Sequence, residues 1–381
     1  MKFSMTFVAT TPFAVNAFLR SQLLLLAKTY DVTLCVNTSA YPLEKDIQSV
    51  VRVQHIDIGR KISPWQDLRA FAQLLKFLYM LKPDIVHSMT PKAGLLTMFA
   101  GRLARVQWCF HTFTGQIWAN KTGIGRCLFK WIDRLIALAA NQVFADSASQ
   151  CRFLEKQGVV RRGGVTVLGQ GSVAGVDLER FQPNSVARLS LRTKLGINNG
   201  IPVFVFVGRM VRDKGVFDLV EAFAMVNALN PHWELWMIGP DEDGLQEKLS
   251  KMGVSLGANI RWLGRTFSPE RYMAAADVFV LPSYREGFGS AIIEAAACEI
   301  PTIAYKIDGV IDAVIEGRTG ILVNKGDVQG FAQAMKDLGN LPVKRKLLGQ
   351  AALERAVKDF SSKQVSQEWL AFYDALLKRV A

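Results

Sequence analysis

Pro282-Ser283-Tyr284-Arg285-Glu286-Gly287-Phe288-Gly289-Ser290-Ala291-Ile292-Ile293-Glu294 decides the fold, because it joins an apolar strand to a helix through a Gly-x-Gly turn. The run Val278 to Leu281 just before it has strand length and no polar residue. In an open parallel sheet, ligands lie beyond the carboxyl ends of the strands. A helix N-terminus placed there offers free N–H groups and a positive dipole to phosphate or sugar oxygens. Gly287 and Gly289 allow backbone to approach a ligand, with Glu286 in the loop. Glu294, expected about two turns into the helix, can accept hydrogen bonds from a diol. The bare spacing leaves open that Glu286 is a solvated loop charge and Glu294 a helix-surface residue.

A second stretch bears on that choice. Val203-Phe204-Val205-Phe206-Val207-Gly208-Arg209-Met210-Val211-Arg212-Asp213-Lys214-Gly215 is a buried strand, a glycine, and two cations five apart before a helix. Arg209 and Lys214 can converge on one diphosphate, one as a planar fork and the other as a point charge. Outward from these stretches, strand-like and helix-like runs alternate. Phe3 to Ala9, Val32 to Val36, Ile85 to Ser88 and Trp108 to His111 read as strands, and Ala17 to Lys28, Gln66 to Lys82 and Gly125 to Ala140 as helices. The pattern restarts at Ile201 to Val207 and continues through Glu234 to Ile238, Ile260 to Leu263, Val278 to Leu281, Thr302 to Ala304 and Gly320 to Val323. This predicts an α/β chain with two parallel sheets. The polar, Gly-rich stretch Gly169 to Asn184 marks the seam, giving domains over 1–182 and 183–365. The helical pattern from Ser366 to Lys378, in the segment 366–381, is expected to return to the first domain.

Composition excludes several classes. With 381 residues, half of them hydrophobic and 21% charged, the chain is globular and large enough for two cores. No apolar run approaches the roughly 18 residues of a spanning helix, and MKFSMTFVAT reads as a first strand and not as a signal peptide. The five cysteines are scattered, without a CxxC pair, and read as reduced core residues. The net charge of +13 is lopsided: residues 1–180 hold 22 Lys and Arg against 11 Asp and Glu, the remainder 24 against 22. A basic N-terminal half suits an anionic partner such as a phosphorylated substrate or an acidic membrane. Nothing resembles a nucleic-acid module, so no nucleic acid is expected.

Together these segments resemble the nucleotide-sugar glycosyltransferases of the GT-B fold, family 4, over nearly the whole chain. The motifs that carry the resemblance are Glu286 and Glu294 in E-x7-E, Gly208, Arg209 and Lys214 in G-R-x4-K, and the linker Gly175-Val176-Asp177-Leu178-Glu179-Arg180-Phe181. The resemblance implies two Rossmann-like domains facing an interdomain cleft, and retention of configuration without a metal or other cofactor. It assigns the diphosphate of a UDP-sugar donor to Arg209 and Lys214, the ribose to Glu294, and the transferring sugar to Glu286 with the Phe288-Gly289 backbone. Leu263-Gly264-Arg265 would border the base. His111, closing an apolar strand before Thr112-Phe113-Thr114-Gly115, should point into the cleft and touch the sugar near its reacting carbon.

Three other patterns carry no such weight. Asp241-Glu242-Asp243 matches a metal-holding DxD, but precedes a helix over Leu245 to Met252 and reads as turn and cap acids. Gly169-Gln170-Gly171-Ser172-Val173-Ala174 fits G-x-G-x-x-A, yet no amphipathic helix follows, which argues against NAD. The four His and five Cys have no ligand spacing, so no metal site is expected.

On the acceptor side, the segments His87 to Gly94 and His111 to Trp118 look like those of bacterial transferases that extend undecaprenyl-diphosphate-linked sugars. Lys92 is then a candidate for the acceptor diphosphate. Thr11 and Asn16 are candidate acceptor contacts in the loop Ala9 to Asn16, which lacks the family's glycines. Lys121 to Arg134 mixes Lys121, Arg126, Lys130 and Arg134 with Leu128, Phe129, Trp131 and Ile132, which suits an anionic membrane surface on the cytoplasmic side. An ordinary packed helix would look the same. A soluble sugar acceptor, or a non-catalytic membrane-associated nucleotide-sugar binder, are the competing readings.

Overall fold

The computed structural model describes residues 2–39, 41–59 and 61–378, which divide into two compact units. One comprises residues up to Gly175 together with the segment from Ser362, the other Val176–Ser361. The first crossing lies before Asn184, the second before Ser366. Val176 and Phe181 join the core of the second unit, and Arg180 bonds Glu270 there at 2.9 Å, so the linker segment belongs to that body.

In the first unit the strands are β1 (Ser4–Val8), β2 (Asp31–Val36), β3 (Arg52–His55), β4 (Ile85–Met89), β5 (Trp108–Phe113), β6 (Gln142–Ala145) and β7 (Val165–Thr166). All pair in parallel, in the order β3-β2-β1-β4-β5-β6-β7. Strand alternation sends neighbouring residues to opposite faces. Phe7 and Phe110 enter one apolar cluster, Val8 and Cys109 the other. The helix Ser362–Leu377 closes the first face through Val365, Trp369, Tyr373 and Leu377. Tyr373 fixes it by bonding the His87 Nδ1 at 2.5 Å. Where one helix was expected over Ala17 to Lys28, two short ones run over Pro12–Phe18 and Arg20–Leu26, with Leu19 between them. Cys35 and Cys109 are buried as expected, but Cys127 is exposed.

In the second unit β8 (Val203–Val207), β9 (Glu234–Ile238), β10 (Ile260–Gly264), β11 (Val278–Leu281), β12 (Thr302–Lys306) and β13 (Gly320–Asn324) form a parallel sheet in the order β10-β9-β8-β11-β12-β13. Phe204, Phe206, Trp236, Phe279 and Tyr305 are fully buried in its core, and β8 and β11 at its centre are apolar without alternation. Strand order reverses between β8 and β11, so the loops following these two strands emerge side by side.

Gly215 sets how closely those loops can approach. Its φ is +67°, and a Cβ there would run into the Pro282 carbonyl oxygen. Gly215→Ala should therefore lower unfolding stability by about 2 kcal/mol or more in urea denaturation. Gly200→Ala, in open space, serves as the control and should be nearly neutral.

Candidate functional site

The carboxyl ends of β8 to β11 bring most of the sequence candidates together. Gly208 donates its N–H to the Ile238 carbonyl at 2.9 Å, and Gly239 donates to the Gly264 carbonyl at 2.8 Å. The turn containing Arg209 is thus joined to the turn after β9 and to the end of β10, where Leu263, Gly264 and Arg265 lie. On the other side, the Tyr284 N–H donates to the Asp213 carbonyl at 2.8 Å, tying the β8 loop to the β11 loop. Lys214 donates to Glu286 Oε1 at 2.5 Å, both partly buried, and Arg285 bonds Asp213 at 3.2 Å. Arg209 extends to Glu242 at 2.9 Å. A guanidinium and an ammonium on the β8 loop, itself tied to the β11 loop, can neutralise a diphosphate.

The helix after Gly289 runs from Ser290 to Ala297, so Glu294 lies just over one turn in and not two. It is partly buried, and its carboxyl is pushed up to about 7, chiefly by burial. Arg180 opposes that shift and Glu270 adds to it. Phe288 is buried against Phe360, with ring centroids 5.2 Å apart, which leaves backbone and not a side chain for a ligand at this turn. Asp241 accepts from the N–H groups of Leu245 and Gln246 at 2.8 and 2.9 Å, as a capping acid does. Among the described residues, no group of three or more His, Cys, Asp or Glu stands together as a metal site.

In the first unit the candidates hold different positions from those expected. His111 does not end its strand, since pairing continues through Thr112 and Phe113. The ring is fully buried, bonds Ser88 Oγ through Nδ1 at 2.9 Å, and lies directly against Gly94, where a Cβ would meet it. Burial lowers its pKa to about 3, so the imidazole is neutral, and Nε2 finds no partner among the described residues. Lys92 is not a waiting cation: Asp67 takes it at 2.7 Å and the Lys61 carbonyl accepts from it too. Thr11 caps the helix Pro12–Phe18, and Asn16 bridges to Pro42 and Glu44. All three have local structural partners invisible to sequence spacing.

Two family models match the chain, one described as glycosyl transferase 4-like domain over residues 15–171 and one as glycosyl transferases group 1 over residues 188–355. The chain belongs to the group 1 glycosyltransferases. It is 29% identical over 325 residues to the capsular polysaccharide biosynthesis glycosyltransferase CapM of Staphylococcus aureus, covering 85% of each chain. It is also 29% identical over 318 residues to an Escherichia coli UDP-Gal:α-D-GlcNAc-diphosphoundecaprenol α-1,3-galactosyltransferase, covering 82% of this chain and 81% of the other. The Anabaena HepE structure in complex with UDP and glucose superposes with a TM-score of 0.81 at 19% identity, covering 98% of this chain and all of that one, and shares the GT-B fold. The transferase also carries residues that spacing did not single out: Asp213, Asp218, Tyr284 and Arg285 hold the two loops together, and Ser88 and Gly94 seat His111.

The raised carboxyl of Glu294 has a testable sign. The folded protein holds a proton there that the unfolded chain releases near pH 4.5. The associated stabilisation is present at low pH and is lost as pH rises through about 7. The melting temperature of Glu294→Gln relative to the natural protein should accordingly climb between about pH 5 and 7 and level off above. A pH-independent difference would show that the carboxyl is not desolvated.

Proposed function

We propose that this transferase moves a hexose or N-acetylhexosamine from a UDP-sugar, with retention of configuration, to a lipid-linked saccharide in bacterial surface-polysaccharide synthesis. One observation supports the donor half above all: Lys214, Glu286 and Arg209 stand on loops that the Tyr284–Asp213 hydrogen bond joins at the strand-order reversal. Departure of a nucleoside diphosphate leaves negative charge on its oxygens and oxocarbenium character on the sugar, so catalysis needs fixed positive charge at the phosphates. Arg209 and Lys214 supply it, exchanging Glu242 and Glu286 for phosphate. The helix N-terminus at Ser290 adds its dipole. Glu294 takes the ribose hydroxyls, and Leu263-Gly264-Arg265 borders the base. By family resemblance, transfer needs no metal. The UDP complexes of HepE favour uridine as the base.

The acceptor half draws on the E. coli relative, whose acceptor is named as a diphosphoundecaprenol, and on the helix Gly123–Ala139. Its outward face is an apolar stripe: Ile124 is 88% exposed, Leu128 54%, Trp131 56% and Leu138 79%. Phe129 and Ile132 instead pack inward, and Arg126 is held by the Trp118 and Ala119 carbonyls and by Gln157. Arg134 bonds the Gly158 carbonyl. Burying the stripe in the headgroup region would place the transferase on the inner face of the cytoplasmic membrane. No helix among the described residues is long and apolar enough to cross a membrane.

Two measurements check this reading. Arg209→Ala and Lys214→Ala should each slow UDP release from the UDP-sugar about a hundredfold at unchanged melting temperature. Near-normal rates in both would remove the diphosphate assignment. For the membrane, Leu128→Glu combined with Trp131→Glu should cut sedimentation with vesicles of anionic lipid at least about tenfold, since each apolar side chain contributes about 2 kcal/mol when buried. Equal sedimentation of variant and natural protein would leave the acceptor reading on resemblance alone.

A further inference from the structure

Behind the Lys214–Glu286 pair lies a second layer of contacts. Asp218, in the first turn of the helix Val216–Asn227, uses one oxygen, Oδ2, to accept from two phenols: Tyr284 at 2.6 Å and Tyr305 at 2.7 Å. The two rings stand edge to face, with centroids 5.7 Å apart. The Lys325 ammonium lies 5.2 Å over the Tyr284 ring. Tyr305 comes from β12 and is fully buried, so it gives the carboxylate a fixed support from the sheet.

Tyr284 is two residues before Glu286 and is held at both ends. Its main-chain N–H goes to the Asp213 carbonyl, next to Lys214, and its hydroxyl goes to Asp218. The two anchor points lie on either side of Gly215, the residue whose missing Cβ allows the loops to meet. A loop fixed at one point can pivot, whereas one fixed at two points carries Glu286 in a single orientation. The phenol also resists ionisation, its pKa pushed up to about 12 by burial and by Asp218, so it remains a donor over the working pH range.

We propose that Asp218 and Tyr284 are positioning residues for Glu286, a phenol–carboxylate brace that keeps the Glu286 carboxylate in one orientation for sugar transfer. The brace acts through Glu286 and touches neither donor nor acceptor. This rests on the reading that Glu286 serves the transferring sugar. Tyr284→Phe removes one hydroxyl and keeps the ring. Asp218→Asn retains an oxygen acceptor for the phenols, while Asp218→Ala leaves two donors, one fully buried, without an acceptor.

The experiment is a double-mutant cycle on the full chain. Glucose, galactose and N-acetylglucosamine donors are presented as UDP-sugars, and kcat for UDP release is followed on the one the natural protein uses fastest. Tyr284→Phe should lower kcat about tenfold to a hundredfold, as misplacement of a reacting group does. It should leave the UDP affinity measured by calorimetry within about twofold. In a Glu286→Gln background the same change should cause little further loss, because the group being positioned is already gone. Asp218→Asn should retain more turnover than Asp218→Ala. An equal fold-loss from Tyr284→Phe in both backgrounds, or an unchanged kcat in the single variant, would reduce the brace to ordinary packing and overturn the proposal. Full turnover in Glu286→Gln alone would instead overturn the donor-sugar reading beneath it.

Discussion

The second unit is organised by one constraint: β8 and β11 are neighbours although three helices and two strands separate them in sequence, so their outgoing loops must share one space. The solution is close backbone contact. Gly215 lies against the Pro282 carbonyl, and the Tyr284 N–H reaches the Asp213 carbonyl at 2.8 Å. Once the main chains are fixed, the side chains follow. Lys214 faces Glu286, Arg285 faces Asp213, and Asp218 receives Tyr284. A looser junction would leave the same residues on two independent loops, and two charges on long flexible stems lose side-chain entropy before they can act together.

Much of this was legible in the sequence, for a physical reason. Strands buried on both faces are largely apolar, so β8 and β11 stand out as uninterrupted apolar runs, and β1, β4 and β9 as runs with only one or two polar residues. The strands that escaped notice are β3, β6 and β7, which are short, lie toward the ends of the sheet and carry polar residues such as Arg52, Gln54 and Gln142. The site candidates Arg209, Lys214 and Glu286 could be named because their spacing from a strand end places them at the sheet's carboxyl edge. Their partners could not. Tyr284 and Asp218 are 66 positions apart, and only the strand order brings them into contact. Lys92 shows the same limit in reverse: spacing marks a cation after β4, while tertiary structure gives it to Asp67 on the preceding helix.

His111 illustrates a different limit. Its place on an apolar strand was readable, but its burial depends on Gly94, seventeen positions earlier, whose missing side chain makes room for the ring. Burial then fixes its chemistry. A histidine held at a pKa of about 3 is neutral whatever the working pH, and can act as a hydrogen-bonding group but not as a standing positive charge. On the proposed donor reading, the cationic work around a leaving diphosphate falls to arginine and lysine.

Those two cations are already paired without a ligand, and the nature of the pairs matters for how a diphosphate could enter. Arg209 with Glu242 is a substantially exposed pair, and such pairs contribute about 1 kcal/mol at most, so a doubly charged phosphate group displaces the carboxylate at little cost. Lys214 with Glu286 is more buried and rests on the braced loop, so it exchanges less freely. On the proposed donor reading, binding is an exchange of anions on a fixed frame, with Arg209 yielding first and Lys214 last. The backbone contacts at Gly215 and Tyr284 need not change at any stage. Fixed positive charge on an unmoving frame is the arrangement that stabilises a departing anion with little reorganisation.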